Sequence, residues 1–468
     1  MTSKSNAAAG RNSVRMVLLL AAVVLVSSLT APAQVRKDRE LAKQLQSQAD
    51  IAFTQKNYAD AAEKYRQSIV LVPNNPAAHY WKAVSHYYLK QYDVSLIEFQ
   101  AALTQGYKPL DVYRFRWLVY FENKDTASAL ADLSSGLLID PRDLTMLKGV
   151  GDVYASKNQF TEALAAYQKA LAVAPRDGDT SYNIARVQAA LGNTNGQSAA
   201  AQDAISNGTQ MMGDAYFLLA DADRKLHDIP GAILAYQRAI NVRPNFYEAY
   251  RGLADLYRSE NRLSDAISIA REALKTFPND GNLYTDLSWY YSLLDRPQDA
   301  VQAAKAGITL LPNQYMAYTN LCRAYNEVKS YDLAIGTCNS ALKLNPGDGE
   351  TYFYLGRAYN LQGKTAEATK FYALAVTGLV DYTGKNPDYS DGWYLLGNAY
   401  YADNQRDKAI EAYLKCLELS PKFAKGRYNL GIIYTRKKNK AAASEQYNSL
   451  LSLDPALAAS LKSEIDKM

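Results

Sequence analysis

The chain has 468 residues, 48% hydrophobic and 21% charged, long enough for two or three globular domains or a single repeat array. Abundant Ala, Leu and Tyr suit a helical protein, and no long Gly/Ser-rich or Pro-rich linker divides the chain. The formal charge of +5 falls to +2 if Lys4, Arg11 and Arg15 are removed with a leader, which excludes a dedicated nucleic-acid binder.

Residues 1–33 read as a secretory signal peptide. Lys4, Arg11 and Arg15 form a basic start, Met16 to Val26 is apolar, and Ala31-Pro32-Ala33 offers a small-x-small cleavage site. The apolar run falls short of the roughly 20 residues of a comfortable span, and retention as an anchor stays open beside cleavage. No later apolar stretch is long enough to cross a membrane. The mature chain is therefore expected to carry no transmembrane span and to be exported, either to a periplasm or to the medium.

Prolines supply a ruler for the rest. They fall at Pro73, Pro141, Pro175, Pro244, Pro278, Pro312, Pro346, Pro387, Pro421 and Pro455, with gaps of 68, 34, 69, 34, 34, 34, 41, 34 and 34 residues. The period is 34, and counting from Ala42 predicts twelve units ending near Leu457. Each unit reads as two antiparallel helices whose apolar faces cannot be buried alone, so neighbours must stack. Small residues at positions 8, 20 and 27 let the paired helices approach: Gly151, Ala163 and Ala170 in one unit, Gly356, Ala368 and Ala375 in another. Tyrosine recurs at positions 4, 11 and 24, so most of the 37 tyrosines are expected to serve packing. Proline at position 32 ends the second helix because it has no N–H and its ring clashes with the preceding turn.

Read in order, residues 34–177 hold repeats 1–4. The second of these lacks a closing proline in register. Residues 178–212 form a degenerate fifth repeat, in which Gly192-Asn193-Thr194-Asn195-Gly196 replaces the usual turn and suggests a joint. Residues 213–457 hold repeats 6–12. The tenth carries a seven-residue insertion near 376–389, about two helical turns, which predicts either a longer, projecting second helix or an exposed loop. Residues 458–468 complete a capping stripe of Leu457, Leu461, Ile465 and Met468.

The best-preserved unit is Trp393 to Pro421. Trp393, Leu396, Gly397 and Tyr400 share one helix face, Ala409, Tyr413 and Cys416 share a second, and Pro421 closes the unit. This W-x2-L-G-x2-Y, A-x3-aromatic, P pattern resembles the tetratricopeptide-repeat family. The resemblance implies an all-α, right-handed superhelical solenoid. It also implies a concave groove for extended peptides or other proteins, lined by positions 2, 5, 9 and 12 of each first helix. Carried onto this sequence, the groove candidates are Tyr80, Tyr87, Arg114, Arg251, Trp289, Arg323, Phe353, Arg357, Asn360, Tyr394, Asn398 and Tyr401. Aromatic and arginine side chains are what binding surfaces favour. The terminal-carboxylate clamp of heat-shock co-chaperones is not matched, since Lys148 at position 5 is followed by Asp152 at position 9.

No catalytic, cofactor or metal constellation stands out: there is no glycine-rich phosphate loop, HExxH sequence or CxxC pair. His79 and His86 occupy large packing positions. Cys322 and Cys338, at positions 8 and 24 of one unit, face each other across a hairpin, and either a disulfide or two buried thiols fits that placement. The basic cluster Lys422, Lys425, Arg427 and Arg436 to Lys440 reads as a solvated turn. The expected function is a non-enzymatic, exported scaffold or adaptor in cell-envelope assembly or a secretion complex. The alternative is a glycan-binding scaffold or an accessory subunit of polysaccharide synthesis or export, using exposed Trp81, Trp289, Tyr394 and Tyr401.

Overall fold

A computed structural model describes residues 34–468; the expected leader, 1–33, lies outside the described residues. The described chain is all helical. Helix α1 covers 34–54 and pairs with α2 (Tyr58–Leu71). Next come α3 (Pro76–Tyr88) with α4 (Tyr92–Thr104), α5 (Pro109–Glu122) with α6 (Thr126–Ile139), and α7 (Leu144–Ser156) with α8 (Phe160–Val173). The fifth pair is α9 (Gly178–Ala190) with α10 (Thr194–Ser206). These five hairpins form one compact unit, which ends at Gln210.

The second unit, from Met211, holds seven hairpins and a final helix. They are α11 (Met212–Lys225) with α12 (Ile229–Val242), α13 (Tyr247–Ser259) with α14 (Leu263–Thr276), and α15 (Gly281–Leu293) with α16 (Pro297–Leu310). Then follow α17 (Tyr315–Glu327) with α18 (Tyr331–Leu344), α19 (Gly349–Leu361) with α20 (Thr365–Lys385), α21 (Ser390–Ala402) with α22 (Arg406–Leu419), and α23 (Ala424–Arg436) with α24 (Lys440–Leu453). Helix α25 (Pro455–Asp466) closes the unit.

Local chemistry explains both ends of every hairpin. The residue before each closing proline is kept out of the helical region by the pyrrolidine ring. Val72 (φ −133°, ψ 86°), Ala174 (φ −130°, ψ 81°) and Ser420 (φ −138°, ψ 79°) are accordingly extended. The two hairpins without that proline end instead on left-handed glycines, Gly106 (φ 85°) and Gly208 (φ 73°). Within hairpins, one residue of every turn is left-handed: Lys56, Lys90, Lys124, Asn158, Gly192, His227, Asn261, Asp295, Lys329, Gly363, Asn404 and Lys438. The amides of Lys124 and Asp125 reach back to Phe121 and Tyr120, which satisfies carbonyls that the ending helix leaves free. Gly192 sits in this same turn, so the Gly192–Gly196 stretch preserves the hairpin geometry of its neighbours.

The core of a hairpin is a tyrosine ring laid over a residue with no side chain. A Cβ on Gly151 would lie 2.4 Å from the Tyr167 ring, on Gly356 2.8 Å from Tyr372, and on Gly397 2.7 Å from Tyr413. In the α17–α18 hairpin the same two positions hold Cys322 and Cys338, joined by a disulfide with Cα atoms 5.3 Å apart. Cys416 is a buried free thiol. His79 packs with its Nδ1 2.6 Å from Glu98.

The seven extra residues of the tenth unit belong to one continuous helix, α20, 21 residues long. It does not project. Leu379 and Thr383 are buried, the Tyr382 ring lies against Gly392, and the backbones of Gly349 and Gly378 touch where α19 starts. In α25, Leu461 and Ile465 are buried and Leu461 covers Gly431, while Met468 is exposed and stands outside the expected stripe.

Lys329 (φ 61°) is exposed and can be tested without disturbing a contact. The left-handed conformation already costs Lys329 about 1–2 kcal/mol, and a β-branched side chain fits it worse still, so Lys329→Val should lower the thermal midpoint. Lys329→Gly should leave it unchanged or raise it. Calorimetry of the three proteins reads both outcomes.

Candidate functional site

In the second unit the first helices of consecutive repeats point side chains toward a common interior. Trp289 and Ser292 come from α15, Arg323 and Glu327 from α17, Phe353 and Arg357 from α19, Tyr394 and Asn398 from α21, and Lys425 and Asn429 from α23. They line a cavity of about 470 Å³. A second lobe of about 560 Å³ shares Phe353, Arg357, Asn398 and Asn429 and continues past Asn360 and Tyr401 to Asn404 and Arg406.

The interior exists because the second unit braces itself across 130 residues or more. Arg258, at the end of α13, meets Asp391 of α21 at 2.6 Å, with Asp391 buried and Arg258 largely so. Lys422 pairs with Glu260 at 2.5 Å, and Lys425 holds Asp295 at 2.9 Å and the Ser292 carbonyl at 3.1 Å. Asn261 donates to the Leu453 carbonyl at 3.1 Å. Leu293 joins Tyr413, Cys416, Leu417 and Phe423 in one buried cluster. Lys422 and Lys425 are thus cross-braces, not part of a solvated turn, because acidic partners from α13 and the α15–α16 turn reach them.

The predicted groove residues divide into three sets. Trp289, Arg323, Phe353, Arg357, Asn360, Tyr394, Asn398 and Tyr401 all line the two lobes. Arg251 faces Asp286 at 3.4 Å. Tyr80, Tyr87 and Arg114 belong to the first unit: Tyr80 stacks on Tyr107, Tyr87 meets Phe115 edge-on, and Arg114 is paired with Asp143.

Burial also differs along the cavity. Arg323 is only 2% exposed; its guanidinium lies 3.9 Å over Trp289, donates to Asn320 at 2.8 Å and faces Glu350 at 3.4 Å. Phe353 is buried, and Tyr394 packs edge-on against Phe423 at 4.8 Å. Trp81 is covered by Phe53 and Tyr80, each 5.3 Å away. The aromatic faces expected to be free at Trp81, Trp289 and Tyr394 are therefore turned to protein neighbours, while Tyr401 is 37% exposed. Asn398 is held in place: its Oδ1 accepts from the Tyr413 hydroxyl at 2.5 Å and from Asn429 at 2.8 Å. Asn429 and Ser292 were not among the groove candidates, and Lys425 was read from the sequence only as part of a solvated basic cluster.

Burial shapes the charges. It pushes the Glu350 carboxyl up to about 7 against the pull of Arg323, and Asp286 up to about 6 against that of Arg251. Burial also works against the Arg258 charge, but Asp391, Tyr389, Asp255 and Tyr290 together outweigh it and hold the guanidinium protonated. The arrangement can bind and orient a ligand by hydrogen bonds, charge and aromatic contact.

Models of the repeat match much of the chain. One described as "TPR repeat" matches residues 151–192 and 397–438; three described as "Tetratricopeptide repeat" match 47–108 and 217–281, 337–370, and 424–457. The chain belongs to the tetratricopeptide-repeat family. Among curated proteins, the human Superkiller complex protein 3 is 31% identical over 77 residues, which is 16% of this chain and 5% of that protein. Solved structures with similarity include yeast Tom70 (TM-score 0.39, 15% identity, 91% of this chain and 96% of that one). The Cut9–Hcn1 hetero-tetramer of the APC/C gives 0.37, 16%, 91% and 96%, and MamA gives 0.32, 25%, 37% and 94%. Tetratricopeptide repeats serve as scaffolds for interaction with other proteins or peptides. Among the described residues, no helix is long and apolar enough to cross a membrane.

Breaking a buried ion pair leaves one charge uncompensated, at about 3–5 kcal/mol. Arg258→Met and Asp391→Leu should each shift urea unfolding of the second unit to lower concentration, and the double variant should recover most of the loss.

Glu350 adds a pH dependence. Its folded pKa of about 7 lies above the ordinary carboxylate value of 4.5, so the folded state keeps a proton that the unfolded chain has released. Its contribution to stability is full below the unfolded value and is lost as pH rises toward the folded one. The thermal midpoint should fall between pH 5 and 7.5, and Glu350→Gln should make that slope shallower. Asp286 keeps some of it.

Proposed function

We propose that this tetratricopeptide-repeat protein is a non-catalytic adaptor that works after export, holding segments of other polypeptides in the interior of its second unit. The observation that carries this reading is the convergence of five consecutive first helices, α15 to α23, on one connected cavity. Such a surface presents several side-chain contacts in a row, which suits an extended chain better than a point ligand.

Export rests on two features. Lys4, Arg11 and Arg15 precede an apolar run and a small-x-small site. The Cys322–Cys338 disulfide suits an oxidising compartment. Within that compartment, the role we assign is assembly of the cell envelope or of a secretion complex.

Two measurements test this. In the cell fraction where the protein resides, mass spectrometry should find an N-terminus at Gln34, a Cys322–Cys338 bridged peptide and a reduced Cys416. A full-length chain with reduced thiols would overturn the export reading. A photo-crosslinker in place of Tyr401, at the cavity, should capture discrete protein partners that one in place of the exposed Leu138 does not.

A further inference from the structure

Two guanidinium groups of the cavity lining, Arg357 and Arg406, make no ion pair among the described residues. The cavity's lysine and its other deep arginine are committed: Lys425 to Asp295, and Arg323 to Glu350, Asn320 and the face of Trp289. Arg357 sits where the two lobes join. The wider lobe around it holds a second guanidinium, Arg406, and the carboxamides of Asn360, Asn398, Asn404 and Asn429, with no Asp or Glu in its lining. The deeper lobe has Glu327, half-buried, whose carboxyl burial pushes up and Arg323, then Arg357, pull down.

A second observation points the same way. One polar atom on an almost fully buried side chain lines the deeper lobe without a hydrogen-bond partner: Arg323 Nε, a donor. Buried polar groups are normally satisfied, so an unsatisfied donor at the cavity wall marks a place where an acceptor on a bound chain completes the bonding.

Building on the adaptor reading, we propose that the cavity selects polypeptide segments bearing a carboxylate, with Arg357 as the anion contact. A guanidinium offers paired donors that match a carboxylate edge-on, and a low-dielectric, carboxylate-free lobe strengthens the attraction. Carboxamides beside it can donate to and accept from a peptide backbone, as neutral amides do for one another. Two joined lobes leave room on both sides of the paired carboxylate for the flanking residues of the segment.

The test uses the full chain and two fluorescein-labelled decapeptide pools, identical except that one position is Asp or Glu in the first and Asn or Gln in the second. Fluorescence anisotropy should show the acidic pool binding more tightly, and more weakly as salt is raised. Arg357→Gln should weaken the acidic pool by at least about tenfold and leave the neutral pool and the thermal midpoint unchanged, while Arg357→Lys should retain part of the affinity. Equal binding of both pools, or no effect of Arg357→Gln, overturns the carboxylate selection and leaves the adaptor reading standing. Displacement of the acidic pool by inorganic phosphate at the peptide's own affinity also overturns it, because the site would then be one for phosphate groups. Binding by neither pool overturns it too; the adaptor reading falls with it only if the Tyr401 crosslinker captures no partner either.

Discussion

Everything in this protein depends on how closely two helices of a hairpin can approach. Where a glycine faces a tyrosine, as Gly397 faces Tyr413, the ring lies flat on bare backbone and fills the space a side chain would take. The tyrosine hydroxyl then reaches over the first helix to a polar residue one position on: Asp152 for Tyr167 at 2.6 Å, Asn398 for Tyr413 at 2.5 Å. One large side chain thus supplies apolar burial and a satisfied hydrogen bond together. The Cys322–Cys338 bridge occupies the same pair of positions, so a hairpin that lacks the ring is joined covalently at that level.

Stacking these hairpins exposes an inner face, and in the second unit that face closes on itself. The largely buried Arg258–Asp391 pair, the Lys422 and Lys425 braces and the Leu293 cluster bring α13 and α15 against the last two hairpins. Closure changes what the inner residues are. Arg323 becomes part of the wall, stacked on Trp289 and bound to its neighbours, whereas Arg357, one repeat later at nearly the same helical position, keeps its charge unspent. The cavity is therefore a product of the braces as much as of the residues that line it.

The regular part of this architecture was legible in the residues. Proline spacing located the hairpins, because a proline stops a helix whatever surrounds it. Positions 8 and 24 announced the packing. The left-handed turn residues were harder to see: only Gly192 and Gly363 are glycines, and a lysine at Lys56 or Lys124 carries no obvious signal. The packed extension of α20 was half visible, since seven residues implied added turns but not the Gly349–Gly378 contact that holds them down.

By itself the sequence determined the family, the 34-residue period and the helical hairpin, because these follow from local rules of helix termination and from apolar periodicity. It also named the residues that can reach an inner face. Only the tertiary structure decided which of those residues are free to act. Whether an arginine is neutralised, stacked or available depends on groups that packing brings near it, from the adjacent repeats for Arg323 and from more than a hundred residues away for Arg258, and no local pattern encodes that packing.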